Sequence, residues 1–473
     1  MSPSPGKGGG SSAALSKSNL QRLEEYFFDE MSKSRTPGAS IALIKGADTV
    51  YAKGFGSRDV ENGKPATPNT IFGIGSVTKS FTALSILMLQ EEGRLDVSDP
   101  VEKYVPGFRL SDRNNQVRIH HLLSHSSGMP ALGVAELLIL RGLGKDSSGI
   151  PMGSIDDMLT HINQAAGERM APPGKRYFYW NEGYTLLGRI IEIASGESYP
   201  DYVTNHILRP LGMSRASFSR NVLLTDTDAM TPYTQNKEGK YVATQFPSHP
   251  LVDAPGGLLV SMNELANYIK MYINDGNFGD FAVPASLLKE LCKGRVSTGR
   301  AGGMGEMWYC YGWARSTDFL GNELIWHTGG IDVSVAFAGF LPEKKVGVVL
   351  AANGGSFPTF QVGAYALALL AGEEPNKLSM VSKENALERL VGEYENYKGL
   401  SRVTVSRAGY YLNLTMKGEG SEQTLPVFED QGKYYLVAGP DKMEIEFLDR
   451  GGGKMDLVIE RNVFHKTGKL SKR

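Results

Sequence analysis

The chain reads as an α+β protein followed by a small all-β module. Three observations predict this. β-rich hairpins lie near both ends of the first part of the chain, and helical patterns fill the stretch between them. The composition then changes at GEEPN, a polar, proline-containing segment at 372–376. Hairpins from two ends of a chain, with helices between, imply one antiparallel sheet assembled from N- and C-terminal strands, flanked by helices and carrying a helical insertion.

A chain of 473 residues exceeds what one ordinary core supports, so at least two domains are expected. Hydrophobic residues at 41% and charged residues at 21% are a globular balance. Lys and Arg total 50 against 51 Asp and Glu, which leaves no electrostatic footprint for nucleic acid or an anionic membrane.

Residues 1–18 are rich in Ser, Gly, Pro and Lys and read as a flexible segment. They lack the apolar run of about 7–15 residues that a secretory signal needs. No run of about 18 apolar residues appears that could span a bilayer. The expectation is a cytoplasmic protein with no membrane partner, or an exported one if a signal has been removed. Leu20, Leu23, Phe27 and Met31 share one face of a helix over 19–34. A hairpin turning at 46–48 follows. A helix over 76–92 carries a wide apolar stripe (Phe81, Leu84, Leu87, Met88, Leu89), and Gly93 stops it. Short helices broken by Pro and Gly fill 110–215, among them a clear one at 184–195. Strands return after Ile325, with runs at 334–340 and 345–352 separated by LPEK, and an apolar helix at 361–371 closes the domain.

These readings divide the chain into an α+β domain at 19–372, a linker at 373–389 and a β-module at 390–473. In the last, seven short β-rich runs recur at intervals of roughly 8–12 residues, the pattern of a small antiparallel barrel or sandwich.

Chemistry concentrates at three places. In FGIGSVTKSF, Ser76 and Lys79 stand three apart where a helix begins, so the amine can reach the hydroxyl. A serine needs a base to take its proton, and a desolvated lysine can be that base. The Ser76 N–H, at the helix start, can face a developing oxyanion. In KRYFYWNEGY, Tyr179 can relay a proton and Asn181 can donate to a substrate carbonyl while holding the lysine. In LIWHTGGIDV, Gly329 and Gly330 let a substrate backbone lie against a strand edge, Gly330 N–H can be a second oxyanion donor, and His327 can hold a substrate group or tune the relay. Each motif alone is common; their order is what carries weight.

The ordered set resembles the serine β-lactamase and penicillin-binding-protein superfamily, with the Tyr-x-Asn form of its class C β-lactamase-like, S12-type peptidase branch. IHHLLSHSSGMP at 119–130 and DAPGGLLVSMNELANYI at 253–269 share in the likeness, which covers roughly residues 20–370. The fold it implies is a β-lactamase-like antiparallel sheet flanked by helices with a helical insertion. A following lipocalin-like barrel, together with FGIGSVTKSF, resembles archaeal serine peptidases that self-compartmentalise. That resemblance implies cleavage of short peptides, D-amino-acid peptides among them, and a homo-oligomer. His327 stands where β-lactamases and many transpeptidases carry a lysine that binds a carboxylate, which weighs against efficient β-lactam turnover.

His120, His121 and His125 lack the glutamate of H-E-x-x-H, since Leu122 occupies that position, and they read as structural. No metal and no cofactor are expected. Cys292 and Cys310 read as free thiols. The expected function is acyl transfer through Ser76, as a carboxypeptidase or D-amino-acid peptidase acting on a small peptide or acyl substrate. The alternatives are an esterase on short acyl esters, a β-lactamase, and a non-catalytic penicillin-binding or sensor protein.

Overall fold

The computed structural model describes residues 15–110, 114–418, 421–439 and 441–468. The expected flexible segment at 1–18 falls largely outside them. Its last residues already belong to the first helix, Lys17–Ser34, whose N-terminus Ser16 caps by accepting from Asn19 N–H.

The chain forms two compact units, 1–375 and 376–473. The first is built on a 9-stranded antiparallel sheet. At its centre Gly38–Lys45 pairs with Val346–Asn353, joining the two ends of the unit directly. Gly38–Lys45 turns into Asp48–Asp59 as expected, and Ser334–Leu341 turns into Val346–Asn353. Both faces are covered. Ala42, Ile44, Val349 and Ala351 look toward a large core that includes Phe81, Tyr268 and Ile269. The opposite face meets the helix Thr359–Ala371, where Gly363 lies so close to the Phe337 ring that a β-carbon would overlap it.

Three strands precede the point where the sequence pattern turns to β: Val296–Gly302, Gly305–Tyr309 and Ala314–Phe319. They form the outer end of the sheet. VSTGRAG is largely solvated and ARSTDF is half polar, so apolar alternation is weak and the expected start after Ile325 is too late.

The helix Thr78–Glu91 lies within the core. Thr78, Lys79, Ser80, Thr82 and Ser85 are buried along with its apolar residues, so the wide stripe expected from sequence becomes a helix buried all round. Its polar groups are satisfied internally: Ser80 donates to Val77 O, Ser85 to Phe81 O and Thr82 to Ala254 O.

The second unit is a closed antiparallel barrel of eight strands between Gly392 and Gly468. Seven match the runs read from sequence. The eighth, Asn462–Gly468, is short and polar except at Val463 and Phe464, which explains its weak signal. The barrel interior holds Tyr394, Val405, Leu412, Leu414, Leu436 and Leu457. Residues expected as a linker at 373–389 are largely helical instead: Ser379–Leu390 contributes Leu387 and Leu390 to the barrel core. Its apolar positions are diluted by the polar residues between them. Among the described residues no helix is long and apolar enough to cross a membrane.

Candidate active site

Ser76 sits in a single 3-10 turn, Gly75–Val77, that leads into the buried helix beginning at Thr78. Gly75 adopts φ 49 there, and a β-carbon on it would approach Gly330 N to 2.5 Å. A β-carbon on Gly329 would overlap the Ile74 carbonyl oxygen. The glycine pair of the strand Asn322–Gly330 is therefore pressed against the turn that carries Ser76. This same strand is paired with Ser334–Leu341 to its end, but its other neighbour leaves it at Trp326. Residues 327–330 thus present one strand edge beyond the sheet partner, beside a half-buried Ser76.

Lys79 has no exposed surface. Its Nζ lies 3.0 Å from Ser76 Oγ, 2.8 Å from Asn181 Oδ1 and 2.8 Å from the Pro255 carbonyl oxygen. Asn181 Oδ1 and Pro255 O can only accept. A neutral amine has two N–H bonds and one lone pair, so donating to both acceptors leaves the lone pair for the Ser76 hydroxyl. Burial pushes the Lys79 pKa down to about 7, against the opposing charges of Glu136 and Glu182.

Asn181 begins the helix Asn181–Ser195, three residues earlier than the expected start, so its side chain belongs to a first turn and not to a loop. Its Nδ2 donates to Glu136 Oε1 at 3.2 Å. Tyr179 lies with its ring 4.8 Å from Lys79 Nζ. Burial raises the Tyr179 pKa strongly, while Ser76, as a hydrogen-bond partner, pulls it down.

His327 is buried, and both ring nitrogens are used within the protein. Nδ1 faces the Thr328 carbonyl at 2.5 Å and must carry the proton, so Nε2 accepts from the Tyr309 hydroxyl at 3.0 Å. Burial, then the Lys79 charge, pushes its pKa down to about 3. The imidazole is a neutral, fixed group, so the expected direct hold on a substrate group has no ring nitrogen left to make it.

Sequence reasoning did not find four contributors. The Pro255 carbonyl comes from DAPGGLLVSM, and His125 from IHHLLSHSSG. His125 packs on the Tyr179 ring at 4.1 Å and on Tyr309 at 4.6 Å, while its Nδ1 accepts from Trp180 N–H. Those two stretches signalled involvement without a role. Tyr309 and Glu136 had no signal, since each stands far from the motifs along the chain. His121 Nδ1 accepts from Arg118 N–H, and among the described residues no group of three or more His, Cys, Asp or Glu is arranged to hold a metal. Cys292 and Cys310 are free thiols.

A serine backed by a buried lysine, a phenol and a carboxamide, at the junction of a central helix and a sheet edge, is an arrangement of the β-lactamase-like serine hydrolase superfamily. The chain belongs to the beta-lactamase family, whose model matches residues 23–373. A second family model, the Pab87 octamerisation domain, matches residues 375–465. The octameric penicillin-binding protein homologue from Pyrococcus abyssi superposes with a TM-score of 0.86 at 38% identity, covering 94% of this chain and 100% of that one. Protein flp of Staphylococcus aureus (strain MRSA252) is 31% identical over 342 residues, 72% of this chain. That match spans only 64% of flp's length. A D-stereospecific amidohydrolase from Streptomyces sp. shares the fold, with a TM-score of 0.61 at 22% identity over 76% of this chain and 100% of that one.

Proposed function

We propose that the chain is a peptidase acting on short peptides, of carboxypeptidase or D-amino-acid-peptide type, through an acyl-enzyme on Ser76. The observation that carries this reading is the hydrogen-bond count at Lys79, which leaves a lone pair for the Ser76 hydroxyl. Lys79 takes the proton as Ser76 Oγ attacks the carbonyl carbon. Tyr179 gives its phenol proton to the leaving amine and regains one from Lys79, which restores the neutral amine, and the Ser76 and Gly330 N–H groups hold the oxyanion. Water then adds to the acyl-enzyme by the reverse sequence, with the proton returned to Ser76. One Asn181 N–H is held by Glu136, and the second faces the substrate carbonyl. The domain at 19–372 carries this chemistry, and the barrel within 390–473 assembles copies of the chain into a homo-oligomer. Two likenesses support the assembly reading: the Pyrococcus abyssi homologue is octameric, and the second family model is that of an octamerisation domain.

An esterase on short acyl esters uses the same machinery and is the second reading, favoured by the neutral His327. A β-lactamase is less well supported for the same reason, because a neutral imidazole offers no cation to a ring carboxylate. The test is hydrolysis of L- and D-residue peptides, p-nitrophenyl acetate and nitrocefin by wild type and Ser76→Ala, with fluorophosphonate labelling alongside. Peptide cleavage and labelling are expected to vanish together in the variant. Cleavage of activated esters alone by the wild type moves the protein to the esterases, and undiminished labelling of Ser76→Ala overturns the nucleophile.

A further inference from the structure

The two sides of the nucleophile differ in charge. On the strand side, His327 is neutral and closed off by Tyr309 and the Thr328 carbonyl. The nearby guanidinium of Arg300 acts on the outlying Tyr177. On the Asn181 side stands Glu136, on the helix Val134–Gly142, solvent-exposed and hydrogen-bonded to Asn181, whose carboxamide in turn holds Lys79. Its charge is felt at both Lys79 and Tyr179, so it lies within electrostatic range of the reacting atoms.

Glu136 is also held in place. The buried carboxylate of Glu182, one residue beyond Asn181, accepts from Val134 N–H at 2.9 Å and ties the start of the Glu136 helix to the Asn181 helix. A carboxylate that is both exposed and fixed, with acceptor capacity left after one bond to Asn181, is suited to a protonated amine.

We infer that Glu136 is a specificity-determining residue that binds the free α-ammonium group of the substrate's acyl part, so that the enzyme removes residues from the amino end of short peptides. The inference rests on the acyl-enzyme reading above and narrows it. A substrate carboxylate gains nothing from the neutral His327 and is repelled by Glu136, which disfavours the carboxypeptidase polarity.

The experiment compares alanine p-nitroanilide with N-acetylalanine p-nitroanilide, each as the D and L form. They are used both as substrates and as protectants of Ser76 against a fluorophosphonate, with wild type and Glu136→Gln. The glutamine keeps an acceptor for Asn181 and removes the charge. Any change it makes to Lys79 acts on both substrates alike, so the ratio of their kcat/KM values isolates recognition of the amine. Wild type is expected to prefer the free amine, and Glu136→Gln is expected to lose that preference by about tenfold, mostly in KM and in protection. Glu136→Lys is expected to invert it. A ratio that stays the same in Glu136→Gln while Ser76 is labelled normally overturns the inference and leaves the nucleophile standing. Absence of labelling in the wild type sinks both.

Discussion

Lys79 Nζ lies 3.0 Å from Ser76 Oγ with no water-exposed surface of its own, and its other two partners are pure acceptors. Ionisation of this one amine is therefore expected to govern both the proposed reaction and part of the stability of the fold.

The first consequence is a pH profile. With the Lys79 pKa near 7, kcat/KM is expected to rise with pH through an apparent value near 7 as the amine loses its proton. Lys79→Met is expected to lower the rate by about 10²–10⁴ while the far-ultraviolet circular dichroism is kept. A flat profile from about pH 5 to 9 would contradict Lys79 as the base.

Stability follows the same group with the opposite emphasis. The folded pKa is depressed from 10.5 to about 7, so between those values the unfolded chain binds more protons than the folded one. This group's contribution to stability therefore rises as pH climbs from about 7 to 10.5 and is at its least favourable below 7. Lys79→Met abolishes this pH dependence, so its stability relative to wild type is expected to be about 2–4 kcal/mol more favourable at pH 6 than at pH 10 in urea unfolding. No gain at pH 6 over pH 10 would contradict this.

Tyr179→Phe keeps the ring on His125 and Lys79 and deletes the phenol proton. It is expected to lower kcat by about 10²-fold with KM little changed. An equal loss in KM would make Tyr179 a binding group and not a relay.

Tyr309→Phe removes the donor to His327 Nε2, and with it an interaction that favours the neutral ring. The His327 pKa is expected to rise from about 3, seen as imidazole NMR shifts moving at higher pH than in wild type. Identical titration in the two proteins would show that burial alone keeps the ring neutral.

In the barrel, Leu457→Ala empties a fully buried position and is expected to cost about 2–5 kcal/mol. If the barrel is the assembly module, light scattering will show loss of oligomer in this variant at temperatures where Ser76 is still labelled. Loss of labelling in step with the oligomer would instead tie assembly to the chemistry.

Ser76, Lys79, Tyr179, Asn181 and the Gly329–Gly330 pair were legible in sequence because each is encoded locally: a three-residue spacing at a helix start, or small residues at a strand end. The same locality exposed the hairpins and most barrel strands, since alternation survives wherever one face is buried. It failed at Val296–Gly302, where both faces are largely wet, and at Ser379–Leu390, where polar residues dilute the buried positions.

What the sequence by itself determined is the class of fold and which groups to propose as the reacting ones, because spacing and periodicity depend only on near neighbours. Only the tertiary structure decided that Lys79 is dry, that the Pro255 carbonyl completes its coordination, that Tyr309 fixes the His327 tautomer, and that Glu136 stands beside Asn181. Pro255 is 176 residues from Lys79, and Glu136 is 45 from Asn181. Desolvation and hydrogen-bond pairing depend on what the packed chain brings together in space, and no local pattern records that.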